Sequence, residues 1–296
     1  HFKKSICFQL NGQKDGTLKE QLANFDKALD ERSRKKRPCP TSWQEAFQQL
    51  EAHLKSVSSK SKRVIFLDEL PWLASPRSRF LQALDYLWNS FLSKDPRFKL
   101  VICGSAASWM ISKVLNEKGG LHNRVTARMK LEPFTVAESA QFLKSRGVKL
   151  TAYDHLTLTS VMGGVPHYLK QVQHGQSAVQ IIDTTCFSET GLLRDEFKRL
   201  YSSLFDKSER HVEIVRELAK HPQGLTRKDL TKIYKTGGRL SDSLTELNEA
   251  GFISIQNPFE KNSRDAIYRL SDEYSLFYLK WIDGKRRTGS FAKKFN

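Results

Sequence analysis

The sequence predicts a mostly parallel α/β fold over residues 1–134, a helical region over 135–207 and a helix-and-hairpin region over 208–283. Three observations predict the α/β part. In Arg63-Val-Ile-Phe-Leu-Asp-Glu-Leu-Pro-Trp-Leu73 an apolar run, Val64 to Leu67, leads straight into the carboxylates Asp68 and Glu69. A continuous run of this length fits a strand covered by helices on both faces. Lys99-Leu-Val-Ile-Cys-Gly-Ser-Ala-Ala-Ser108 is a second apolar run that turns small and polar. Between them, Phe80 to Leu92 repeats apolar residues at helical spacing, which makes a strand–helix–strand unit with a right-handed crossover.

The remaining elements follow in order. Ser5-Ile-Cys-Phe-Gln-Leu10 reads as a core strand, and Leu18–Leu29 and Trp43–Leu54 read as helices. Between those helices, Arg32-Ser-Arg-Lys-Lys-Arg-Pro38 reads as a solvated loop tip. A phosphate-backbone contact or a localisation-like signal is the alternative; the run has no aromatic punctuation for base stacking. Met129-Lys-Leu131, ahead of Pro133, reads as a final strand. Thr135-Val-Ala-Glu138 has the form of a capping box and opens a helix through Leu143. Helices continue to about Lys207, broken at Gly147, Gly163-Gly164 and Gly175.

Residues 208–271 have the pattern of a winged helix-turn-helix. Ser208–Ala219 is its first helix, Leu225 to Leu230 opens the second, Gly237-Gly238 makes the turn and Arg239–Ala250 is the third. Phe252–Ile255 and Ala266–Leu270 are the wing strands. Phe277–Ile282 is an apolar helix expected to pack back on this region, and residues 284–296 form a basic linker and tail.

The carboxyl ends of strands in open α/β sheets are where ligands bind. Two acids there meet the needs of nucleotide hydrolysis: Asp68 to help hold Mg²⁺, Glu69 to orient or deprotonate a water. Ser105, beside them, is placed to hydrogen-bond a phosphate oxygen or that water. The plain alternatives are a helix with an acidic first turn, which suits its dipole, and a tight turn with an N-cap serine.

The motif order resembles the archaeal-type AAA ATPases, P-loop NTPases with a trailing winged helix, close to the STAND signalling NTPases. The matching residues are Phe66-Leu-Asp-Glu-Leu-Pro-Trp72 (the Walker B strand), Cys103-Gly-Ser-Ala-Ala-Ser108, Asn123-Arg-Val-Thr-Ala-Arg128 with Leu131-Glu-Pro-Phe134, and Gly163-Gly-Val-Pro-His-Tyr-Leu169. Tyr268-Arg-Leu-Ser-Asp272 and Phe277-Tyr-Leu-Lys-Trp281 also match, so the likeness runs from about Ser5 to Trp281. It implies a P-loop NTPase core, a helical lid over 135–207, and ATP and Mg²⁺ as ligands. It also implies Ser105 as a phosphate sensor and Arg124 as the arginine that neutralises γ-phosphate charge, in cis or across a subunit interface. Arg128 is the second candidate for that contact. Gly163, Gly164 and Pro166 are implied to touch adenine or ribose and to couple the nucleotide to the lid. The plain readings are surface arginines beside an edge strand, and a helix C-cap followed by a Pro-started helix.

No Gly-x-x-x-x-Gly-Lys-Ser/Thr segment occurs in the sequence, so the Walker A loop that cradles phosphates is missing. The first residue is His1, and the expectation is a longer protein whose first strand, P-loop and first helix precede it. A chain starting here would not be expected to hydrolyse ATP. The alternative function is then a non-catalytic nucleic-acid or protein binding module on a truncated or degenerate NTPase scaffold.

Composition bounds the rest. No apolar run reaches membrane-spanning length and no secretory signal shape is present, so no membrane partner is expected. Cys7, Cys39, Cys103 and Cys186 share no Cys-x-x-Cys spacing, which leaves neither a disulfide framework nor a zinc site and suits a reducing cytoplasm. The two in strands read as ordinary buried thiols, and His155 and His167 as packing or surface residues. A formal charge of +17 favours a polyanionic partner. The third helix, however, would expose Asp242, Glu246 and Glu249 with only Arg239 basic near its start, which opposes major-groove reading. Positive charge gathers instead on the second helix, at Arg227, Lys228, Lys232 and Lys235, and in the wing at Lys261 and Arg264. Non-specific DNA backbone contact, or docking to a neighbouring domain, fits these charges; a protein partner or a homo-oligomer is a further expectation.

Overall fold

In the computed structural model, described residues are 5–33, 37–56, 61–105, 107–116, 121, 124–205, 208–234, 237–258 and 265–284. Lys235, Lys261 and Arg264 lie outside them, as does the middle of the basic run. The chain divides into two compact units, residues 1–128 and 129–296.

The first unit is a parallel sheet with helices. Strands β1 (Ile6–Asn11), β2 (Arg63–Asp68) and β3 (Phe98–Ile102) lie in the order β1-β2-β3, all parallel. Helix α1 (Leu18–Asp30) starts on a capping box, with Thr17 accepting from the Glu20 amide and Glu20 accepting from the Thr17 amide. It buries Leu22, Phe25 and Leu29, one helical stripe. Helix α2 (Trp43–Ser56) buries Trp43, Phe47, Leu50 and Leu54. After a helical turn, α3 (Leu70–Leu73), helix α4 (Phe80–Ser90) buries Phe80, Leu84 and Leu87. The stripes meet through aromatic edges: Phe25 on Trp43 at 6.0 Å and 90°, Trp43 on Phe80 at 4.7 Å and 88°.

Central β2 is the buried strand its apolar run predicts, with Val64, Ile65 and Leu67 at 6, 1 and 0% exposure. β3 differs. Phe98 is buried, but Lys99 and Val101 are exposed, because β3 is one of the two edge strands of the sheet among the described residues. A short helix, α5 (Ala107–Met110), continues as a wider turn over Ile111–Asn116.

The basic run corrects one expectation. Arg37 pairs with Asp30 at 2.8 Å and Asp26 at 3.5 Å, and its side chain is only 13% exposed, so the end of the run is tied to α1 rather than solvated. Met129–Leu131 is a second correction. The segment forms no ladder among the described residues, and Met129 and Leu131 are 85 and 87% exposed. Its residues alternate, but alternation alone does not supply a partner strand.

The second unit opens with α6 (Val136–Ser145), capped by Thr135 and Glu138 as the sequence predicts. Helices α7 (Ala152–Met162), α8 (Pro166–Leu169), α9 (Ala178–Ile182) and α10 (Glu196–Leu204) follow. Next come α11 (Glu209–Ala219), β4 (Leu225–Thr226), α12 (Arg227–Ile233), α13 (Gly237–Glu249), β5 (Ile253–Gln256) and β6 (Ile267–Leu270). The strands form an antiparallel sheet in the order β4-β6-β5. Helix α14 (Glu273–Phe277) runs on as a wider turn, Tyr278–Ile282.

One core serves the whole unit. The Phe197 and Tyr278 rings stack at 4.5 Å, and Tyr201 packs on Phe252 at 4.6 Å. The Tyr201 hydroxyl meets the Ser275 hydroxyl at 3.1 Å, and the Tyr274 hydroxyl donates to the Leu193 carbonyl at 2.6 Å. Apolar side chains on both sides of residue 207 thus share one interior.

Asp272 caps α14, accepting from the Ser275 amide at 2.7 Å. Desolvation nonetheless holds its carboxyl above the ordinary range, outweighing that hydrogen bond. A raised carboxyl contributes stability in full below the unfolded value, about 3.9, and loses it as pH rises through the folded one. Asp272→Asn keeps an acceptor for the cap and removes the charge. Its urea midpoint is expected above wild type at pH 8, with the gap closing towards pH 4; a gap independent of pH would contradict this.

Candidate functional site

The sheet's register fixes the site. Asn11 pairs with Asp68 and Leu67 with Ile102, so the chain leaves all three strands at one carboxyl edge. The Cys103 amide donates to the Leu67 carbonyl at 3.0 Å and the Leu70 amide to the Cys103 carbonyl at 2.9 Å, which clamps the two loops together. The Gly12 amide donates to the Asp68 carbonyl at 2.9 Å. A Cβ on Gly12 would sit 2.5 Å from the Glu69 carbonyl oxygen, and one on Gly104 would sit 2.6 Å from Pro71 Cδ. Small residues therefore let the three loops crowd around Glu69.

Glu69 itself is left-handed, with φ 49° and ψ 53°. Such a conformation costs a non-glycine residue about 1–2 kcal/mol. It turns the chain sharply out of β2 into α3. In this turn the Glu69 carboxylate accepts from both the amide and the hydroxyl of Ser105, at 3.2 and 3.0 Å through the same oxygen, Oε2. Asp68 Oδ1 accepts from the Glu69 amide at 3.0 Å and from the Cys103 thiol at 2.7 Å. Asp68, Glu69 and Ser105 thus meet at one edge, half-buried or exposed, with one oxygen of each carboxylate free of hydrogen bonds among the described residues.

Cys103 is the residue that sequence reasoning missed. Taken as an ordinary strand thiol, it lies instead just past β3, half-buried, and donates to Asp68. Burial first, then the hydrogen bond to Asp68 and that residue's charge, push the thiol up to about 12, so it stays a donor at neutral pH. The signal was positional: in parallel pairing, the residue after Ile102 must fall level with Asp68.

Arg124 and Arg128 are exposed, and neither forms a hydrogen bond or ion pair with Asp68 or Glu69. Gly163, Gly164 and Pro166 lie in the second unit and have structural work there. Gly163 ends α7 at φ 60° and ψ −166°, a conformation open to glycine alone. The Gly164 carbonyl accepts from the Phe134 amide at 2.8 Å, and Pro166 starts α8.

On α12, Arg227, Lys228 and Lys232 are exposed. Arg227 is tied to the Ser241 hydroxyl on α13, and Lys232 is 3.8 Å from Asp229. The expected acidic face of α13 is only partly there. Asp242 is exposed, but Glu246 turns to the buried His211, 2.6 Å from its Nε2. The Glu246 side chain stays 39% exposed, so the contact with His211 narrows the acidic face without removing it.

A divalent cation fits the edge in one way only. Among the described residues no group of three His, Cys, Asp or Glu side chains could hold a metal. Two carboxylates with a free oxygen each do match Mg²⁺, which binds through one or two carboxylates, several waters and the phosphates of its substrate. No helix of the described residues is long and apolar enough to cross a membrane.

No family model matches the sequence. An uncharacterized protein of Methanocaldococcus jannaschii is 25% identical over 231 residues, 74% of this chain and 49% of that protein. The chain thus spans about half the length of that relative. Among solved structures, the Walker-type ATPase PABY2304 of Pyrococcus abyssi superposes with a TM-score of 0.60 at 15% identity, over 92% of this chain and 83% of that one. The RuvB Holliday junction branch migration motor of Thermotoga maritima gives a TM-score of 0.39 at 15% identity, over 90 and 84%. At 15% identity the likeness to the Pyrococcus Walker-type ATPase is one of fold.

Proposed function

We propose that this chain is the body of an ATP-binding and ATP-hydrolysing molecular switch of the AAA or STAND type. The trailing α11–β6 region is its winged helix. One observation carries the reading: Asp68, Glu69 and Ser105 converge at the carboxyl edge of a parallel sheet, with a free oxygen on each carboxylate. Asp68 would hold Mg²⁺ through water, and bound Mg²⁺ would neutralise charge on the phosphates. Glu69 orients and deprotonates the attacking water through its free Oε1. Ser105 fixes Glu69 through Oε2 and senses phosphate from the same position. Arg124 supplies positive charge, with Arg128 as the neighbouring alternative, and Gly163, Gly164 and Pro166 carry the nucleotide's presence into the helical region.

The test is Mg²⁺-dependent ATP binding and turnover by the full gene product, with Asp68 and Glu69 varied singly. Binding without turnover in wild type would leave a nucleotide sensor; neither binding nor turnover would overturn the proposal.

The charge of +17 and the exposed basic residues of α12 favour a second activity, contact with DNA phosphates. Lys228→Glu with Lys232→Glu is expected to weaken binding to duplex DNA about tenfold or more at low salt, with a shallower salt slope. Fluorescence anisotropy measures both, and unchanged binding would remove α12 from the contact. Lys235 belongs to the same proposed surface. A protein partner or a neighbouring domain is the other use of these charges.

A further inference from the structure

The two adjacent carboxylates at the sheet edge divide their hydrogen bonds in the same way. On Asp68 both donors, the Glu69 amide and the Cys103 thiol, go to Oδ1, at 3.0 and 2.7 Å. On Glu69 both donors, the amide and the hydroxyl of Ser105, go to Oε2. A carboxylate oxygen has two lone pairs, so two donors fill it. Among the described residues each acid is left with one open oxygen, Oδ2 of Asp68 and Oε1 of Glu69.

The thiol is placed by a fixed backbone. The Cys103 amide donates to the carbonyl of Leu67, the residue before Asp68. Its carbonyl accepts from the amide of Leu70, the residue after Glu69. The frame that holds the two acids therefore also holds the residue that reaches Asp68. Cys7 on β1, by comparison, donates to a backbone carbonyl, that of Val64, at 3.4 Å.

Filling Oδ1 has a chemical consequence. A cation cannot take both oxygens of Asp68 while two hydrogens occupy one of them. Ca²⁺ readily takes both oxygens of one carboxylate, whereas Mg²⁺ holds to an octahedron and keeps several of its waters. An acid that offers one oxygen suits Mg²⁺ better.

We propose, on the reading of this edge as a nucleotide site, that Cys103 is a positioning residue that sets the site's cation preference. By filling Oδ1 it restricts Asp68 to one outward oxygen and favours Mg²⁺ over Ca²⁺ beside the phosphates.

The affinity of the full gene product for mant-ATP, a fluorescent ATP, is measured in saturating Mg²⁺ and in saturating Ca²⁺. The ratio of the two Kd values is the readout. Wild type is expected to favour Mg²⁺ about tenfold or more. Cys103→Ala removes the donor, frees a lone pair on Oδ1 and is expected to move the ratio about tenfold towards Ca²⁺. Cys103→Val, which removes the donor at a fuller volume, is expected to do the same. Cys103→Ser keeps a donor in nearly the same volume and should stay within about threefold of the wild-type ratio. Cys7→Ala should leave the ratio unchanged. A misfolded fraction lowers the signal with both ions alike and cannot imitate a shift between them. Equal affinity with the two ions in wild type overturns the inference. So does a ratio in Cys103→Ala and Cys103→Val that stays put or moves towards Mg²⁺. A shift in Cys103→Ser as large as in Cys103→Ala would trace the effect to packing and overturn it as well. These three outcomes spare the nucleotide reading. Absence of mant-ATP binding with either ion in wild type would overturn that reading, and this inference with it.

Discussion

Glu69→Gln in the full gene product is expected to bind MgATP as wild type does and to turn it over about a hundredfold more slowly or less. The substitution changes no shape. A Gln carbonyl can still accept from the Ser105 amide and hydroxyl, so the turn out of β2 survives. What disappears is the negative charge on Oε1, the atom left free to take a proton from water. On the proposed role of Glu69 the loss should fall on kcat with little change in KM, because the group removed would act on the reacting water rather than on the bound nucleotide. Asp68→Asn should behave differently. It should keep the Cys103 and Glu69 amide contacts but weaken the Mg²⁺ dependence of binding. Retained turnover in Glu69→Gln would reject Glu69 as the base, whatever the fold.

Gly164→Ala is expected to be the most destabilising single methyl group in the second unit. A Cβ there would lie 1.8 Å from the Phe134 carbonyl oxygen and 2.5 Å from its amide nitrogen. Both are backbone atoms, so no rotamer change relieves the clash, and the Phe134–Gly164 hydrogen bond must break. The expected cost is about 3 kcal/mol or more. Gly175→Ala is the control. Its φ is 77° but nothing lies within 4 Å of the added carbon, so it bears backbone strain alone, of order 1 kcal/mol. Urea denaturation followed by circular dichroism measures both. A cost at Gly164 no greater than at Gly175 would show that the Phe134 segment yields.

The sequence made the first unit readable because its signals are local. An unbroken apolar run before two acids marks β2, and Thr17 with Glu20 marks the start of α1. Parallel pairing then brought Asp68, Glu69 and Ser105 to one edge. Cys103 escaped notice because a thiol in an apolar run looks like core; only register shows that it reaches Asp68. Met129–Leu131 failed for the converse reason. Alternation specifies a strand's faces but not its partner, and this segment has none among the described residues. The Gly163-Gly164 break was legible as a break. That Gly164 exists for the passage of Phe134 depends on a contact thirty residues away.

The interior shared across residue 207 bears on how the C-terminal helices and antiparallel sheet can be used. Phe197, Tyr201 and Leu193 contribute from one side of that position, Tyr274, Ser275 and Tyr278 from the other. The last third of the chain is consequently no detachable reader on a tether. Severed at this point, each fragment would uncover the rings that the other now shields. A protease should find no stable product ending there, and any grafting of the α12 surface onto another scaffold would have to carry α10 along.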